Sequence, residues 1–223
     1  MRPNGTTVEH SYSPAFPLQV QDVSFGLQQS TTSTTLLAPG AAVKYKVPSN
    51  GNDDVEEGNN PNSWIGTNFP DGSWAGGTTG VGYATGSPDA YDALINTDVQ
   101  GLMWNSKTTI YIRIPFNVAD PSAISGLTLK MKYDDGFVAY LNGNPLSIAE
   151  ENAPTPDSLD YLAEATANHS DSQSVNYQLF PVSSSLLNVG ANVLCIHGLN
   201  RSTSSSHIHF LPEYRHFHHR QRV

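Results

Sequence analysis

Residues 127–148 read LTLKMKYDDGFVAYLNGNPLSI and predict three short strands joined by two tight turns. In the first seven residues apolar side chains alternate with threonine and lysine, a period typical of a strand with one buried and one solvated face. Asp-Asp-Gly at 134–136 predicts the first turn, because glycine accepts a positive φ and aspartate side chains bind nearby backbone N–H groups. Asn142-Gly143 predicts a hairpin. Such a meander carries no catalytic motif, so it points to a binding function.

Other stretches continue the β pattern. Residues 108–116, TTIYIRIPF, place isoleucines on one face of a strand and Tyr111 and Arg113 on the other. Residues 191–199, ANVLCIHGL, are apolar on both faces, as expected of a central strand in a sandwich. Only residues 91–107 have helical character, and they predict a short turn. The chain is therefore predicted to be all-β.

Composition narrows the class of partner. The 223 residues suit one all-β domain with short extensions. Twenty Asp and Glu against 11 Lys and Arg give a net charge of -9, which argues against nucleic acid and anionic membrane surfaces as partners. The single cysteine, Cys195, excludes an internal disulfide and a cysteine-based zinc site. It is expected to be a small buried apolar side chain.

Four motifs in order carry a family resemblance: SWIGTNFPDGSWAGGTTGVGY (63–83), YIRIPFNVADPSAISGLTLKM (111–131), YDDGFVAYLNG (133–143) and LLNVGANVLCIHGLN (186–200). Over roughly residues 36–214 the sequence resembles the galactose-binding-like β-sandwich modules of large secreted bacterial proteins. The resemblance implies a β-sandwich or jelly roll of two antiparallel sheets. It also implies a carbohydrate ligand, neighbouring domains of a larger chain as partners, and secretion.

The expected domain organisation has three parts. Residues 1–35 form a linker or an edge-strand extension, residues 36–214 form the sandwich module, and residues 215–223 form a basic, histidine-rich tail. No apolar run approaches the length of a membrane span, and the first ten residues lack the apolar core of a signal peptide. This leaves a cytoplasmic protein or a piece of a longer secreted chain, and the resemblance favours the second. We expect a monomer.

Aromatic side chains are the first candidate ligand contacts. Trp64, Trp74 and Tyr83 lie in a glycine-rich stretch, and Trp104 precedes the polar residues Asn-Ser-Lys. The C–H face of a sugar ring stacks on an exposed aromatic side chain, and its hydroxyls bind nearby amides and carboxylates. The alternative is that Trp64 and Trp74 close one end of the sandwich. Trp104 is the better candidate for an exposed aromatic.

Two polar side chains are further candidates. Arg113 either clamps an acidic or hydroxylated ligand or, as is more common on a strand face, pairs with a local carboxylate. The resemblance places Asn200 at a strand end beside the ligand-facing rim.

Asp134 and Asp135 have two interpretations. Adjacent carboxylates repel each other unless a cation or several N–H groups face them, so they either cap the turn or bind calcium. The Asp-Asp-Gly turn is similar to that of lectin modules related to anthrax protective antigen, which implies that this pair holds calcium and sugar. Calcium on Asp134 and Asp135 is the one cofactor expected.

Histidines gather near the C-terminus. His197 lies in a buried strand and is expected to be a core residue rather than a catalytic one. His207 and His209 occupy the closing strand, where similar modules show an aspartate and then apolar residues. The tail, with His216, His218 and His219 among arginines, is typical of adventitious metal binding.

The sequence thus predicts a non-catalytic carbohydrate-binding module. The alternative is a structural or adhesive spacer without a small ligand. A polysaccharide hydrolase is the third possibility, since catalytic triads assemble from residues distant in sequence.

Overall fold

The computed structural model describes residues 30–49, 63–86, 92–155 and 159–220, and residues 31–219 form one compact unit. The strands are β1 Ser30–Leu37, β2 Ala42–Lys46, β3 Ala75–Thr78, β4 Val81–Ala84, β5 Thr97–Asp98, β6 Thr109–Val118, β7 Gly126–Asp134, β8 Gly136–Leu141, β9 Asn144–Glu151, β10 Gln178–Val182, β11 Gly190–Leu199 and β12 His207–Arg220. The two α-helices are single turns, α1 Gln100–Met103 and α2 Asp171–Ser174. Single 3-10 turns cover Asp71–Ser73, Asp92–Leu94, Pro121–Ala123 and Ser184–Leu186.

The strands form two six-stranded sheets. The first sheet has the order β10-β7-β12-β4-β5, with β1 pairing to β12, and the second has the order β3-β2-β6-β11-β8-β9. All strand pairs with a described register are antiparallel except β4 and β5, which are parallel. The predicted all-β sandwich of two antiparallel sheets is confirmed.

The core lies between the sheets. The alternating Leu127, Leu129, Met131 and Tyr133 of β7 all point into it, as their spacing predicts. Aromatic rings meet across the two layers, since the ring centroid of Phe137 on β8 lies 5.7 Å from that of Phe180 on β10. A single apolar cluster therefore joins the two sheets.

The first of the two predicted turns is not a hairpin. Strand β7 pairs with β10 and β12 in the first sheet, whereas β8 pairs with β9 and β11 in the second. The chain thus crosses between layers at Asp134 and Asp135, and both aspartates are buried. At Gly136 the backbone presses against β9, where a Cβ would lie 2.8 Å from the carbonyl oxygen of Glu151. The second turn is the predicted hairpin, with positive φ at both Asn142 and Gly143.

A second apolar cluster covers the outer face of the second sheet. Tyr111 on β6, Val138 and Tyr140 on β8, and Val193 and Cys195 on β11 contact Trp64, Ile65 and Trp74 from the segment 63–74. Cys195 is fully buried, and burial raises the pKa of its thiol to about 12. His197 is buried on the same face, with its ring edge against Tyr111. The predicted structural roles of Cys195 and His197 agree with this placement.

The ends of the compact unit differ from the expected boundaries at 36 and 214. Strand β1 begins at Ser30, inside the predicted extension, and β12 continues to Arg220, inside the predicted tail. The rest of the extension, the end of the tail and most of the acidic loop at 49–63 lie outside the described residues. Within the described ranges, no helix has the length and apolar character needed to cross a membrane.

Candidate functional site

Asp135 ties two loops to the corner between the sheets. Its Oδ1 accepts a hydrogen bond of 3.1 Å from the backbone N–H of His169, and its Oδ2 accepts one of 2.9 Å from the N–H of Arg201. Its own carbonyl oxygen accepts a bond of 2.9 Å from Asn152 Nδ2. Burial, together with the neighbouring carboxyl of Asp134, raises the pKa of Asp135 to about 7. These contacts give Asp135 an anchoring role.

Asp134 faces a histidine. Its Oδ2 lies 3.3 Å from His207 Nε2 and accepts a long contact of 3.4 Å from the hydroxyl of Ser174. Burial alone would raise the pKa of Asp134, but the contacts with His207 and Asp135 and the nearby charge of His209 together lower it. The hydrogen bond with Asp134 in turn raises the pKa of His207 to about 9, against the effect of burial. At neutral pH the two therefore form an ion pair, in which Asp134 is buried and His207 is partly exposed.

Asp171 completes a three-residue group. Its Oδ1 lies 3.3 Å from His207 Nε2, and its side chain is 74% exposed at the start of α2. Asp134, Asp171 and His207 each offer one ligand atom, and these atoms lie within 4.8 Å of one another. We call these three residues the carboxylate–histidine cluster. It is open to solvent on the Asp171 side and closed on the Asp134 side.

A second layer supports the cluster. His209 Nε2 lies 3.1 Å from the carbonyl oxygen of Ser174, and burial lowers the pKa of His209 to about 4, so the ring is neutral and donates to this carbonyl. The ring of His169 stacks on Tyr133 at 4.1 Å, and its Nδ1 lies 2.9 Å from the Tyr133 carbonyl oxygen. These contacts fix α2 against strands β7 and β12.

The Ser174–His169 pair is not arranged for nucleophilic catalysis. The Ser174 hydroxyl lies 3.2 Å from His169 Nδ1, but this nitrogen also faces a carbonyl oxygen and therefore carries a proton. A protonated nitrogen accepts no proton from serine, and Ser174 is fully buried.

Tyr83 and Asn200 are buried and shape the 201–206 loop, which connects β11 to β12. Asn200 Nδ2 donates to the Tyr83 hydroxyl over 3.0 Å, and this hydroxyl donates over 3.0 Å to the carbonyl oxygen of Ser205. The Asn200 side-chain oxygen also accepts from the N–H of Arg201 at 2.9 Å. In the described structure both side chains are buried and support this loop.

Trp64, Trp74 and Arg113 lie on the outer face of the second sheet. The rings of Trp64 and Tyr111 stack with centroids 4.8 Å apart, and both tryptophans are buried. Arg113 makes an ion pair of 2.9 Å with Asp71 and donates to the carbonyl oxygens of Trp64 and Gly66. Arg113 thus pairs with a local carboxylate, and its guanidinium fastens segment 63–74 to the sheet. The two tryptophans are buried, but they cover the outer face of the second sheet and do not close an end of the sandwich.

Trp104 is 44% exposed, in agreement with its prediction as an exposed aromatic. It follows α1 directly, and the next residue, Asn105, donates its N–H to the Thr203 carbonyl oxygen over 2.7 Å. Thr203 belongs to the 201–206 loop, whose two ends adjoin Asp135 and the carboxylate–histidine cluster. Trp104, this loop and the cluster are therefore linked at one edge of the sandwich.

Asp134 was predicted from the sequence as a site residue, and His207 was noted as unusual, but nothing in the sequence indicated that the two side chains lie close together. Asp171, Ser174 and His169 were not predicted. All of these site residues come from β7, α2 with the loop before it, and β12. Because they lie in separate segments, no residue spacing within one segment could predict that these side chains are neighbours. The one available signal was the histidine at a position where similar modules show an aspartate.

No protein-family model and no curated protein matches this sequence. Among solved structures it is similar to parts of bacterial glycosidases. These include the β-glucuronidases of Bacteroides uniformis (TM-score 0.48, 10% identity, 84% of this chain and 18% of that chain), an uncultured Clostridium species (0.46, 12%, 92% and 30%) and Ruminococcus gnavus (0.44, 9%, 94% and 31%). The chain thus spans less than a third of these enzymes. Similarity at this level concerns the β-sandwich fold alone.

Proposed function

We propose that this chain is a non-catalytic carbohydrate-binding module of a secreted, multidomain protein. Its glycan surface consists of Trp104 and the 201–206 loop. The observation that carries the proposal is the exposed indole of Trp104 beside a loop rich in hydroxyl groups. A flat apolar ring next to polar groups is the combination that a sugar requires.

The loop supplies the polar partners. Arg201, Thr203, Ser204 and Ser206 are exposed, and Ser202 and Ser205 are partly exposed. Their hydroxyl and guanidinium groups bind ring hydroxyls and fix the orientation of a sugar that stacks on Trp104. The backbone bonds from Arg201 to Asp135 and from Asn105 to Thr203 pre-organise the surface, so little entropy is lost on binding.

A structural spacer is the alternative. It would gain support if every tryptophan were buried, because no aromatic platform would then face solvent. Trp64 and Trp74 meet that condition and Trp104 does not.

Retention of the full chain on a panel of polysaccharide affinity gels tests the proposal. We expect one polymer class to retard the protein and Trp104→Ala to abolish the retardation. Leu179→Ala is the matched control, because it removes another exposed apolar side chain, on β10. Unchanged retention of Trp104→Ala would refute the site. A folded protein that no polymer retards would favour the spacer, and release of reducing ends would favour a hydrolase.

Calcium on Asp134 and Asp135 stays a prediction, and the contacts around these residues fit it poorly. Calcium takes about six to eight oxygen ligands. Both Asp135 oxygens already accept backbone N–H groups, and an imidazole nitrogen lies beside Asp134. A melting temperature that neither calcium nor a chelator changes would reject calcium binding.

A further inference from the structure

We propose that Asp134, Asp171 and His207 bind one divalent transition-metal ion of the Zn²⁺ type. The inference goes beyond glycan binding and does not depend on it. It rests on a mixed donor set of two carboxylate oxygens and one imidazole nitrogen. Imidazole suits zinc, copper and nickel, whereas calcium and magnesium prefer oxygen donors alone.

The donor spacing that forms the ion pair is also one that a metal ion can occupy. His207 Nε2 lies 3.3 Å from Asp134 Oδ2 and 3.3 Å from Asp171 Oδ1. A charge-assisted N–H···O bond is shorter, about 2.7–2.9 Å, and a single N–H points at only one of two carboxylates. Two donors of a tetrahedral Zn²⁺, each about 2.0–2.1 Å from the metal, lie about 3.3–3.4 Å apart. An ion bound by all three donors would contact both carboxylates at once, since the three donor atoms lie within 4.8 Å of one another.

The second nitrogen of His207 is also oriented. Its Nδ1 lies 2.8 Å from the hydroxyl of Ser206. Metal-binding histidines commonly donate from the nitrogen that faces away from the metal, which fixes the tautomer and the ring plane. With Nδ1 as the donor to Ser206, the Nε2 lone pair points towards the two carboxylates.

Charge and access agree with a divalent ion. Two carboxylates and a neutral imidazole carry a charge of about -2, which a divalent cation neutralises. The buried carboxylate of Asp134 is stabilised by a paired cation, which is protonated His207 in the ion pair and would be the metal in the bound state. The exposed Asp171 leaves the cluster open to solvent. Three protein ligands leave the fourth tetrahedral position for water or another small ligand.

Calorimetric titration of the full chain with Zn²⁺ tests the site. The background carries His218→Ala and His219→Ala, which remove the histidines at the end of the chain as competing ligands. We expect one ion per chain, with affinity at least about tenfold weaker in Asp171→Asn. Asp171 is exposed, so this variant should retain the fold. Glu150→Gln, which neutralises an exposed carboxylate on β9, is the matched control and should bind like the background.

A second variant and a spectroscopic readout complete the test. His207→Ala should weaken binding as much as Asp171→Asn does, with circular dichroism used to check its fold. Co²⁺ should give visible bands of low coordination number in the background protein and lose them in both variants. No saturable binding would show that His207 and the carboxylates form only an ion pair. Binding that is unchanged in both variants, or calcium binding that survives His207→Ala, would also overturn the proposal. No glycan is present, so either result leaves the carbohydrate proposal to its own test.

Discussion

Trp64 and Trp104 offer a matched pair of substitutions with opposite expected effects. Trp64 is 1% exposed and stacks on Tyr111 at 4.8 Å, with His197 edge-on at 6.3 Å. A buried tryptophan removes about 150–250 Å² from water, which at about 25 cal/mol per Å² amounts to about 4–6 kcal/mol. Measured costs of large-to-small core substitutions suggest that Trp64→Ala lowers the free energy of unfolding by about 3–5 kcal/mol. Trp104→Ala, at a half-exposed position, should cost no more than about 1–1.5 kcal/mol.

Urea denaturation of the two variants, followed by circular dichroism, measures both values. Glycan retention should show the reverse order, lost in Trp104→Ala and kept in Trp64→Ala under conditions where that variant stays folded. A Trp64→Ala variant as stable as the wild type would refute the reasoning, because segment 63–74 would then not be held through this side chain. Loss of glycan retention in folded Trp64→Ala would move the binding surface to the outer face of the second sheet.

Three further predictions concern the buried polar groups. Arg113→Met should destabilise the protein by about 2–4 kcal/mol in urea, since it removes a buried charge partner of Asp71; stability equal to wild type would show that the guanidinium does not fasten the segment. Burial would raise the pKa of Glu213, but hydrogen bonds from Arg215 and Lys130 lower it. The ionised Glu213 side chain therefore stabilises the folded protein above the ordinary pKa of glutamate. This contribution is lost as the pH falls through the pKa of Glu213 in the folded protein. The stability difference between wild type and Glu213→Gln, on the order of 1 kcal/mol at pH 7, should therefore shrink below about pH 4.3, and a constant difference would contradict this. Cys195 should react with a thiol reagent only after unfolding, because burial disfavours its thiolate; rapid reaction in native buffer would show that the outer face opens.

Local pattern was sufficient for the strands. The alternation in β7 and the isoleucines of β6 placed the correct residues in the core, because a period of two assigns every second side chain to one face. The hairpin at Asn142 and Gly143 was also predictable, since its left-handed conformation selects these residue types. The exposure of Trp104 was expected from its polar neighbours.

Strand pairing was not predictable in the same way. Asp-Asp-Gly has the composition of a hairpin turn, yet β7 and β8 belong to different sheets. An isolated turn has the same local chemistry whether its strands pair with each other or with distant partners. The long-range pairing of β7 with β12 and of β8 with β11 decides between these outcomes.

Local sequence patterns were enough to predict the class of fold, the strands that supply the core, the buried character of Cys195 and the exposed indole of Trp104. Long-range packing was needed to show that Trp64, Trp74 and Arg113 fasten a covering segment, and that Asp134, Asp171 and His207 lie close together. Burial on one face of a strand produces a period of two in the sequence of that strand, which can be recognised locally. The meeting of side chains from separate segments depends on sheet order and loop packing, which no local pattern records.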